Sequence, residues 1–178
     1  MPSYNVIRAN LINYEVYDET EGSERLLGTA SVDLPELEFL SAELKGAGIA
    51  GKVNFPILGH TNSLTCTLHW MSIHSDLTSL SAPGSHMVTL RGALQQYDAA
   101  TGQMIVSPVK ITMRVLPTKM SLGKFDPGEQ TDSKNELSIN YLKMTVDGEE
   151  LLEIDKLNYI YRVNGEDYLT DTREAVGQ

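Results

Sequence analysis

The stretch ELSINYLKMTVDGEELLEIDKLNYIYRVNGEDYLTDTREAVGQ, residues 136–178, decides the fold more than any other part of the chain. β-rich runs flank Asp147-Gly148 and again Asn164-Gly165, and a short polar helix candidate follows them. Asp-Gly and Asn-Gly favour type I′ turns, because such turns need a positive φ at both central residues. The segment therefore predicts a compact β unit with tight turns at Asp147, Gly148, Asn164 and Gly165.

Strand patterns also dominate the rest of the chain. Residues 63–71 alternate, with Leu64, Cys66, Leu68 and Trp70 on one face and polar residues on the other. Residues 87–98 and 103–116 predict the two strands of a long hairpin whose turn is residues 99–102. In the second strand, alternation places Val109, Ile111, Met113 and Val115 on one face and Lys110, Thr112 and Arg114 on the other. We expect a mostly β fold, a sandwich or partly closed barrel of about eight strands, with one or two short helices, one of them in residues 75–81.

Two segments are interpreted as loops within a single domain that spans residues 1–178. Residues 46–62 are rich in glycine, and residues 117–134 are polar and contain glycine and proline. Long loops without secondary structure are usually functional or interaction elements. The first segment is therefore a candidate contact loop, and the second a candidate linker or interface loop.

Composition narrows the function classes. The chain of 178 residues has a net charge of −10 and a pI near 4.8, which argues against a protein that grips nucleic acid through clustered Lys and Arg. Its single cysteine, Cys66, allows no intramolecular disulfide and suits a reducing cytoplasm. With no apolar leader and no run as long as a membrane span, the sequence predicts a soluble chain without a membrane anchor.

The candidate chemical motifs lack the context that their chemistry requires. Residues 46–51, GAGIAG, match GxGxxG, but the residues that follow contain Pro56 and have no helical periodicity to hold a pyrophosphate. The four histidines are not at metal-ligand spacing, and Ser85 has no identifiable acid partner. We therefore predict no enzyme activity, no catalytic or metal site and no cofactor.

The order of elements resembles the major tail tube protein family of contractile-tailed bacteriophages, which also supplies the tubes of phage-tail-like bacteriocins. The resemblance is carried by YLKMTVDG at residues 141–148, ELLEID at 150–155, Asn158 and VNGED at 163–167. A weaker likeness covers GAGIAG at residues 46–51 and the alternating strand that follows. Together these stretches extend over more than half of the chain.

The resemblance implies a structural subunit that forms hexameric rings, which stack into a hollow tube inside a contractile sheath. Four strands from each subunit would then build a 24-stranded ring barrel. The implied partners are further copies of the chain, the sheath protein, baseplate and tail terminator proteins, and duplex DNA that passes through without specific binding. The implied location is the virion tail, after assembly in the bacterial host cytoplasm.

Two other functions stay open. The first is the tube of a headless contractile device, such as a phage-tail-like bacteriocin, which conducts no DNA. The second, a monomeric β-barrel carrier of a small ligand, is disfavoured because one Trp and three Phe offer little aromatic lining.

Candidate contact residues follow from this reading. Contacts between rings are expected at two glycine-containing segments, with candidates Gly46, Gly48, Ile49, Gly51, Asn54, Glu21 and Gly22. The lumen, or strand pairing within the ring, is assigned to the long hairpin, with candidates Thr89, Arg91, Lys110, Thr112 and Arg114. Six subunits of charge −10 give −60 per ring, and DNA would be repelled if part of that charge faced the lumen.

Overall fold

The structure, a computed structural model, describes residues 6–20, 22, 24–28, 31–46 and 48–177. Within these ranges the chain forms mostly strands, numbered here in chain order: β1 (Val6–Asp18), β2 (Arg25–Leu27), β3 (Ser31–Asp33), β4 (Phe39–Leu44), β5 (Val53–Thr61), β6 (Leu64–Trp70), β7 (His86–Asp98), β8 (Gln103–Ser121), β9 (Ser133–Val146), β10 (Glu149–Asp155), β11 (Ile160–Val163) and β12 (Glu166–Asp167). Two short helices complete it, α1 (Ser75–Ser79) and α2 (Thr170–Val176). The mostly β class and both helix candidates are confirmed.

Ten of these strands form one antiparallel sheet in the order β12-β11-β10-β9-β8-β7-β1-β2, with β6 and β3 attached beside β9. β9 pairs with β8 along one edge, and with β6 and then β10 along the other. In the described ranges the sheet does not close into a barrel. The expected count of eight strands is too low, because short strands such as β2, β3, β11 and β12 also pair.

The core lies on one face of this sheet. Leu64, Cys66, Leu68 and Trp70 are all buried, as the alternation in β6 predicts. They join buried side chains from the central strands, among them Val88, Leu90, Met113, Val115, Leu137 and Ile139. Each such side chain contributes roughly 1.5–3 kcal/mol through burial. This shared apolar face fixes the register of β6, β7, β8 and β9.

A buried amide joins α1 to the sheet. Asn135 accepts a hydrogen bond from Trp70 Nε1 at 2.8 Å and donates to the Leu77 carbonyl at 3.2 Å and to Ser81 Oγ at 2.9 Å. Buried polar groups need such partners, because an unsatisfied group costs free energy. These bonds hold the helix against β6 and β9.

The two tight turns are where the sequence predicts them. Asp147 and Gly148 have φ of 54° and 81°, and Asn164 and Gly165 have φ of 51° and 83°. The flanking pairs are Val146 with Glu149 and Val163 with Glu166, so each turn has two central residues with positive φ. Both type I′ hairpin predictions are confirmed.

The two predicted loops are shorter than expected. Within residues 46–62, β5 occupies Val53–Thr61 and pairs with β4. Pro56 is tolerated because both strands of a two-stranded sheet are edge strands. Within residues 117–134, β8 continues to Ser121 and β9 begins at Ser133. A register shift between Pro117 and Lys119 accommodates the proline, which leaves residues 122–132 as the connection.

Candidate assembly surfaces

The arm, which we define as β4, β5 and their connection (residues 39–61), forms its own two-stranded sheet beside the main one. Its tip, residues 45–52, contains four predicted ring-contact residues, Gly46, Gly48, Ile49 and Gly51. Gly48 and Gly51 have φ of 92° and 107°, values that favour glycine. Asn54 lies in β5 opposite Glu43. The structure thus brings these five candidates into one exposed element, and their contact with another ring stays a prediction.

The other predicted ring contact lies in the turn between β1 and β2. Gly22 has a φ of 74°, and its N–H donates to the Glu19 carbonyl at 3.2 Å. Glu21 lies outside the described residues. The ring-contact role of both residues stays a prediction.

The arm is amphipathic across its two faces. Strand alternation and the pairs Ala42–Phe55 and Leu44–Val53 place one set of apolar side chains together: Leu40, Ala42, Leu44, Val53, Phe55 and Ile57. All six are exposed, and Phe55 is 52% exposed. The opposite face carries Glu43, whose carboxylate pairs with Lys52 at 3.1 Å. A two-stranded sheet is marginally stable in water unless its apolar face is covered.

The base of the arm is fixed to the main sheet. The ring of Phe39 meets that of Tyr161 edge to face, with 6.0 Å between ring centroids. Lys156 Nζ donates to the Thr61 and Asn62 carbonyls, and burial lowers the pKa of this lysine. A Cβ built on Gly59 would lie 2.6 Å from the side chain of Leu169, the residue before α2, so the arm closely approaches the start of that helix. These contacts set the direction of the arm relative to the sheet.

The finger is the second exposed element, defined as residues 6–13 of β1, 93–98 of β7 and 103–108 of β8. β8 and β9 end their pairing at Val109 and Val146, beyond which the Asp147 N–H donates to the Pro108 carbonyl at 2.9 Å. The backbone N–H and C=O groups of every second residue in a strand point to the same side. Because the Pro108 carbonyl points away from β7, the backbone groups of Met104 and Val106 also point away from β7. Among the described strands none pairs with that edge at residues 103–107, and β2 pairs with β1 only at residues 16–18. The finger therefore carries two open edges.

The sheet face that carries Arg91 and Lys110 changes from charged to apolar where β7 and β8 enter the finger. Register places Ile7, Tyr97 and Met104 in one row, and Val106 in the next row opposite Gln95. Met104 is 65% exposed and Val106 is 59% exposed. Sequence reasoning did not identify this finger face as a site. The signal was present, because β8 changes on one face from Lys110 and Thr112 to Val106 and Met104.

The five lumen or strand candidates lie together on this face of β7 and β8. Arg91 pairs with Glu19 at 3.0 Å and with Glu24, lies over the Tyr17 ring at 4.6 Å, and lowers the pKa of Glu24 through their hydrogen bond. Lys110 lies opposite Arg91 and is exposed. The charged side chains that the hairpin itself contributes to this face are therefore basic, and the acidic ones beside Arg91 are Glu15 of β1, Glu19 and Glu24.

The other three candidates are more enclosed. Thr89 is fully buried and donates to Thr112 Oγ1 at 3.3 Å, so it is not available to line a channel in this conformation. The Arg114 guanidinium lies 5.6 Å from the Tyr141 ring centroid. The main chain of residues 110, 112 and 114 pairs with β7 on one side and β9 on the other. The expectation that these residues offer a pairing edge within the ring is therefore wrong, and their facing the lumen stays a prediction.

The charged face continues across β9 to α2 as a series of ion pairs. Lys143 contacts Glu150 at 2.7 Å, and Arg162 contacts Glu150 at 3.4 Å and also Glu153. Asp167 follows, with Arg173 at 2.7 Å. The Lys143 hydrogen bond lowers the pKa of Glu150, and the Arg173 hydrogen bond lowers that of Asp167. This face is thus held by alternating charges across the C-terminal strands.

The described residues contain neither a metal-ligand cluster nor a helix that could span a membrane. Within residues 6–177, apart from those left undescribed, His, Cys, Asp and Glu form no group of three or more that could hold a metal ion. In the same part of the chain, neither helix is long and apolar enough to cross a membrane.

Comparison with known sequences gives a consistent result. A family model described as phage tail tube protein FII matches residues 8–177. The tail tube protein of Escherichia phage P2 is 29% identical over 153 residues, which cover 83% of this chain and 86% of the relative. The major tail tube protein of Serratia phage KSP20 is 24% identical over 151 residues, which cover 85% and 86%.

Solved structures show the same fold. A chain from the PVC sheath/tube terminator of an extracellular contractile injection system, in its extended state, has a TM-score of 0.54 and 14% identity, covering 77% of this chain and 96% of its own. A chain from the sheath-tube complex of the same kind of system has a TM-score of 0.50 and 14% identity, covering 75% and 88%. At these identities the likeness concerns the fold alone.

Proposed function

The chain belongs to the phage tail tube protein family, and from that premise we propose that it is the repeating subunit of the inner tube of a contractile tail. The observation that carries the proposal is the family match over residues 8–177, which includes the arm and all of the finger except residues 6 and 7. Exposed strand edges and an uncovered arm support it, because both features suit a protein whose activity is to join copies of itself.

Hexameric rings are the proposed unit of assembly. At the finger each subunit offers three strands, β1, β7 and β8, and β9 would be the fourth where it runs beside β8, which gives the 24-stranded barrel that the resemblance implies. With strands about 4.8 Å apart and tilted by about 40°, such a barrel is roughly 48 Å across at the backbone. Side chains reduce the channel to roughly 35–40 Å, which admits duplex DNA.

Ring closure would join the open edges of the finger. One edge belongs to β1 and the other to β8, and both strands run antiparallel to β7. β1 and β8 are therefore parallel to each other, and rotation about a ring axis preserves the direction of each strand along that axis. At the level of the finger, where β9 has ended, the seam between neighbouring subunits would thus be a parallel pair, formed by β8 of one copy and β1 of the next.

The charged sheet face is the proposed lining of the channel. Arg91 is compensated by Glu19 and Glu24, and the C-terminal strands carry paired charges of both signs. A phosphate backbone binds through uncompensated, clustered cations, whose counterion release makes binding strong. A lining of this kind, with an excess of −10 on each subunit, would let DNA pass without holding it.

The proposed partners follow from this position in a tail. The tube would lie inside a sheath and would meet a baseplate at one end and a terminator at the other, in a virion tail assembled in the host cytoplasm. The tube of a headless contractile device also needs a subunit that closes into rings and stacks, so the same surfaces would serve it. Capsid and portal genes beside the gene for this chain would identify the phage form.

Size-exclusion chromatography and negative-stain electron microscopy of the purified protein test the proposal. The expected result is rings of six copies or hollow filaments, whose amount grows with protein concentration. A protein that remains monomeric at every concentration, including those typical of an assembling tail, would contradict the tube function and favour the small-ligand carrier.

A further inference from the structure

The turn at Asn164 and Gly165 places two reactive groups next to each other on the surface. Asn164 is the only asparagine in the sequence that is followed directly by a glycine. Both residues are exposed and have positive φ values, 51° and 83°. The Asn164 N–H donates to the Leu151 carbonyl at 3.0 Å, but no hydrogen bond among the described residues engages the Asn164 side-chain amide or the Gly165 N–H. The side-chain amide and the next backbone nitrogen are therefore both free to react.

We propose that Asn164 is a site of spontaneous deamidation, in which the backbone nitrogen of Gly165 displaces the side-chain amide. Asparagine is among the thermolabile residues of proteins. The inference goes beyond the proposed function and does not depend on it, because it concerns one turn of the subunit.

The reaction needs only water and hydroxide. Hydroxide removes the proton of the Gly165 N–H, and the nitrogen attacks the carbonyl carbon of the Asn164 side chain. A C–N bond forms, the C–NH2 bond breaks, and the leaving group takes a proton from water and departs as ammonia. Water then opens the resulting cyclic imide at either carbonyl. Opening at the side-chain carbonyl gives aspartate, and opening at the main-chain carbonyl gives isoaspartate.

Local structure favours this site over other exposed asparagines. Glycine has no Cβ, so its backbone nitrogen approaches the preceding side chain without steric hindrance. A Cβ built at Gly165 would meet no described atom within 4 Å, so water reaches the turn. Asn62 and Asn158, by contrast, precede Ser63 and Tyr159, and the side-chain amide of each donates to a carboxylate at 2.7 Å.

The two products differ in what they do to the turn. Aspartate leaves the main chain unaltered, and Asp147-Gly148 shows that an aspartate suits the same position of a type I′ turn. Isoaspartate carries the main chain through the side-chain carbon and lengthens it by one methylene group. A two-residue loop fixes the register of the strands that it joins, so the added group shifts β12 against β11.

A shift of β12 reaches α2 through Asp167. This residue pairs with Arg162 across the two strands. Its carboxylate accepts hydrogen bonds from the Leu169 N–H at 3.0 Å and from Arg173 Nη2 at 2.7 Å. Both bonds hold α2 in place, and the Leu169 side chain lies against Gly59 of the arm. Isoaspartate at residue 164 should therefore loosen α2.

Peptide mapping by mass spectrometry tests the site on the folded protein, incubated at neutral and at alkaline pH. Cleavage after Arg162 and Arg173 releases residues 163–173, in which Asn164 is the only asparagine. The expected result is conversion of this peptide to its aspartate and isoaspartate forms, which separate by chromatography, at a rate proportional to the hydroxide concentration. Peptides that contain Asn62 or Asn158 should be converted more slowly.

Two substitutions at the same residue serve as controls. Asn164→Gly keeps a turn that accepts positive φ and removes the reacting amide, so the peptide of residues 163–173 should keep its mass. Freshly prepared Asn164→Asp reproduces the aspartate product. Hydrogen exchange of residues 170–176 should be faster in incubated protein that contains isoaspartate than in fresh protein, whereas Asn164→Asp should exchange as the fresh protein does.

The outcomes decide both steps. If Asn164 keeps its amide in the folded protein while the urea-unfolded chain is converted, the turn protects the residue and the proposal is overturned. Equal conversion at Asn62 and Asn158 would also overturn it, because the local structure would then not select Asn164. Isoaspartate that leaves the exchange of α2 unaltered would refute the path through Asp167. Conversion at Asn164 together with faster exchange in α2 supports the proposal.

Discussion

Two glycines in the connection between β8 and β9 differ in what surrounds them. Gly123 has a φ of 73°, and a Cβ built there would lie 1.7 Å from the Thr131 carbonyl oxygen. Gly128 has a φ of 88°, and a Cβ there would meet no described atom within 4 Å. The Lys124 N–H donates to the same Thr131 carbonyl at 2.8 Å, so the two sides of the connection are held together at Gly123.

We expect Gly123→Ala to destabilise the subunit more than Gly128→Ala. Both substitutions put alanine at a positive φ, which costs about 1–2 kcal/mol. Only Gly123→Ala also forces backbone atoms of residue 131 to move and breaks the bond from Lys124. Urea unfolding of the dilute monomeric variants measures both free energies, and equal losses from the two substitutions would contradict the close approach.

At the scale of elements, the C-terminal strands are joined by side chains as well as by their backbone. Glu150 bridges Lys143 on β9 and Arg162 on β11, and Asp167 receives Arg173 from α2. The Lys143 hydrogen bond lowers the pKa of Glu150 although partial burial opposes it, and Arg173 does the same for Asp167. Carboxylates with lowered pKa values stabilise the folded state only while they are ionised.

We therefore expect the subunit to lose stability as the pH falls below about 4.3, the ordinary pKa of glutamate. The stabilisation is complete above that value and disappears as the pH passes through the lower folded-state pKa of Glu150. Glu150→Gln should cost roughly 0.5–1 kcal/mol near neutral pH, after allowance for solvent screening, and should flatten this acid dependence. Thermal unfolding from about pH 3 to about pH 7 measures both effects.

The control for this prediction is Glu129→Gln, which alters an exposed carboxylate in the connection of residues 122–132. It should leave the acid dependence as it is in the unaltered chain. An equal flattening by both substitutions would show that general charge, and not the ion pairs of Glu150 with Lys143 and Arg162, causes the loss.

Elements that depend only on residues adjacent in the sequence could be predicted from it. The Asp147 and Asn164 turns need only their own φ values, and the alternation of Leu64 to Trp70 needs only one buried face. The arm could not be predicted in the same way. Its glycines and Pro56 indicate a loop, and β5 becomes a strand only through pairing with β4 across the tip. Local propensity does not report such non-local pairing.

The sequence predicts which side chains of β8 share a face, but it does not predict which backbone edge is open. The face shared by Lys110, Thr112 and Arg114 follows from alternation, and the strand register then places Arg91 opposite Lys110. The position of the open edge depends on where β9 ends along β8, and therefore on the register between these two strands. A connection of eleven residues, 122–132, separates them in the sequence. No pattern within β8 alone contains that information, so the open edge at residues 103–107 required the structure.

At the scale of the whole molecule, the main sheet is incomplete at the finger. Natural sheets cover, twist or charge their edges, because an open edge invites another strand. In the described chain Pro108 removes one donor from the open edge of β8, while Met104 and Val106 keep theirs. The remaining donors and acceptors form a short edge at residues 103–107, which would pair with part of the longer open edge of β1 at residues 6–15. An edge of this kind selects a partner by register and length.

Proline substitutions at two positions of β8 therefore separate ring closure from folding. Val106→Pro removes an N–H that points away from β7 and pairs with no described strand, so the monomer should keep its stability and its circular dichroism while rings disappear. Thr112→Pro removes an N–H on the side where β9 pairs, opposite Lys143, and should unfold or strongly destabilise the monomer. Chromatography and electron microscopy of the two variants measure assembly, and urea unfolding measures stability.

Val106→Ala serves as the control for the loss of the side chain and should still form rings. Normal hexamers from Val106→Pro would refute pairing at this edge and would leave ring closure to other surfaces.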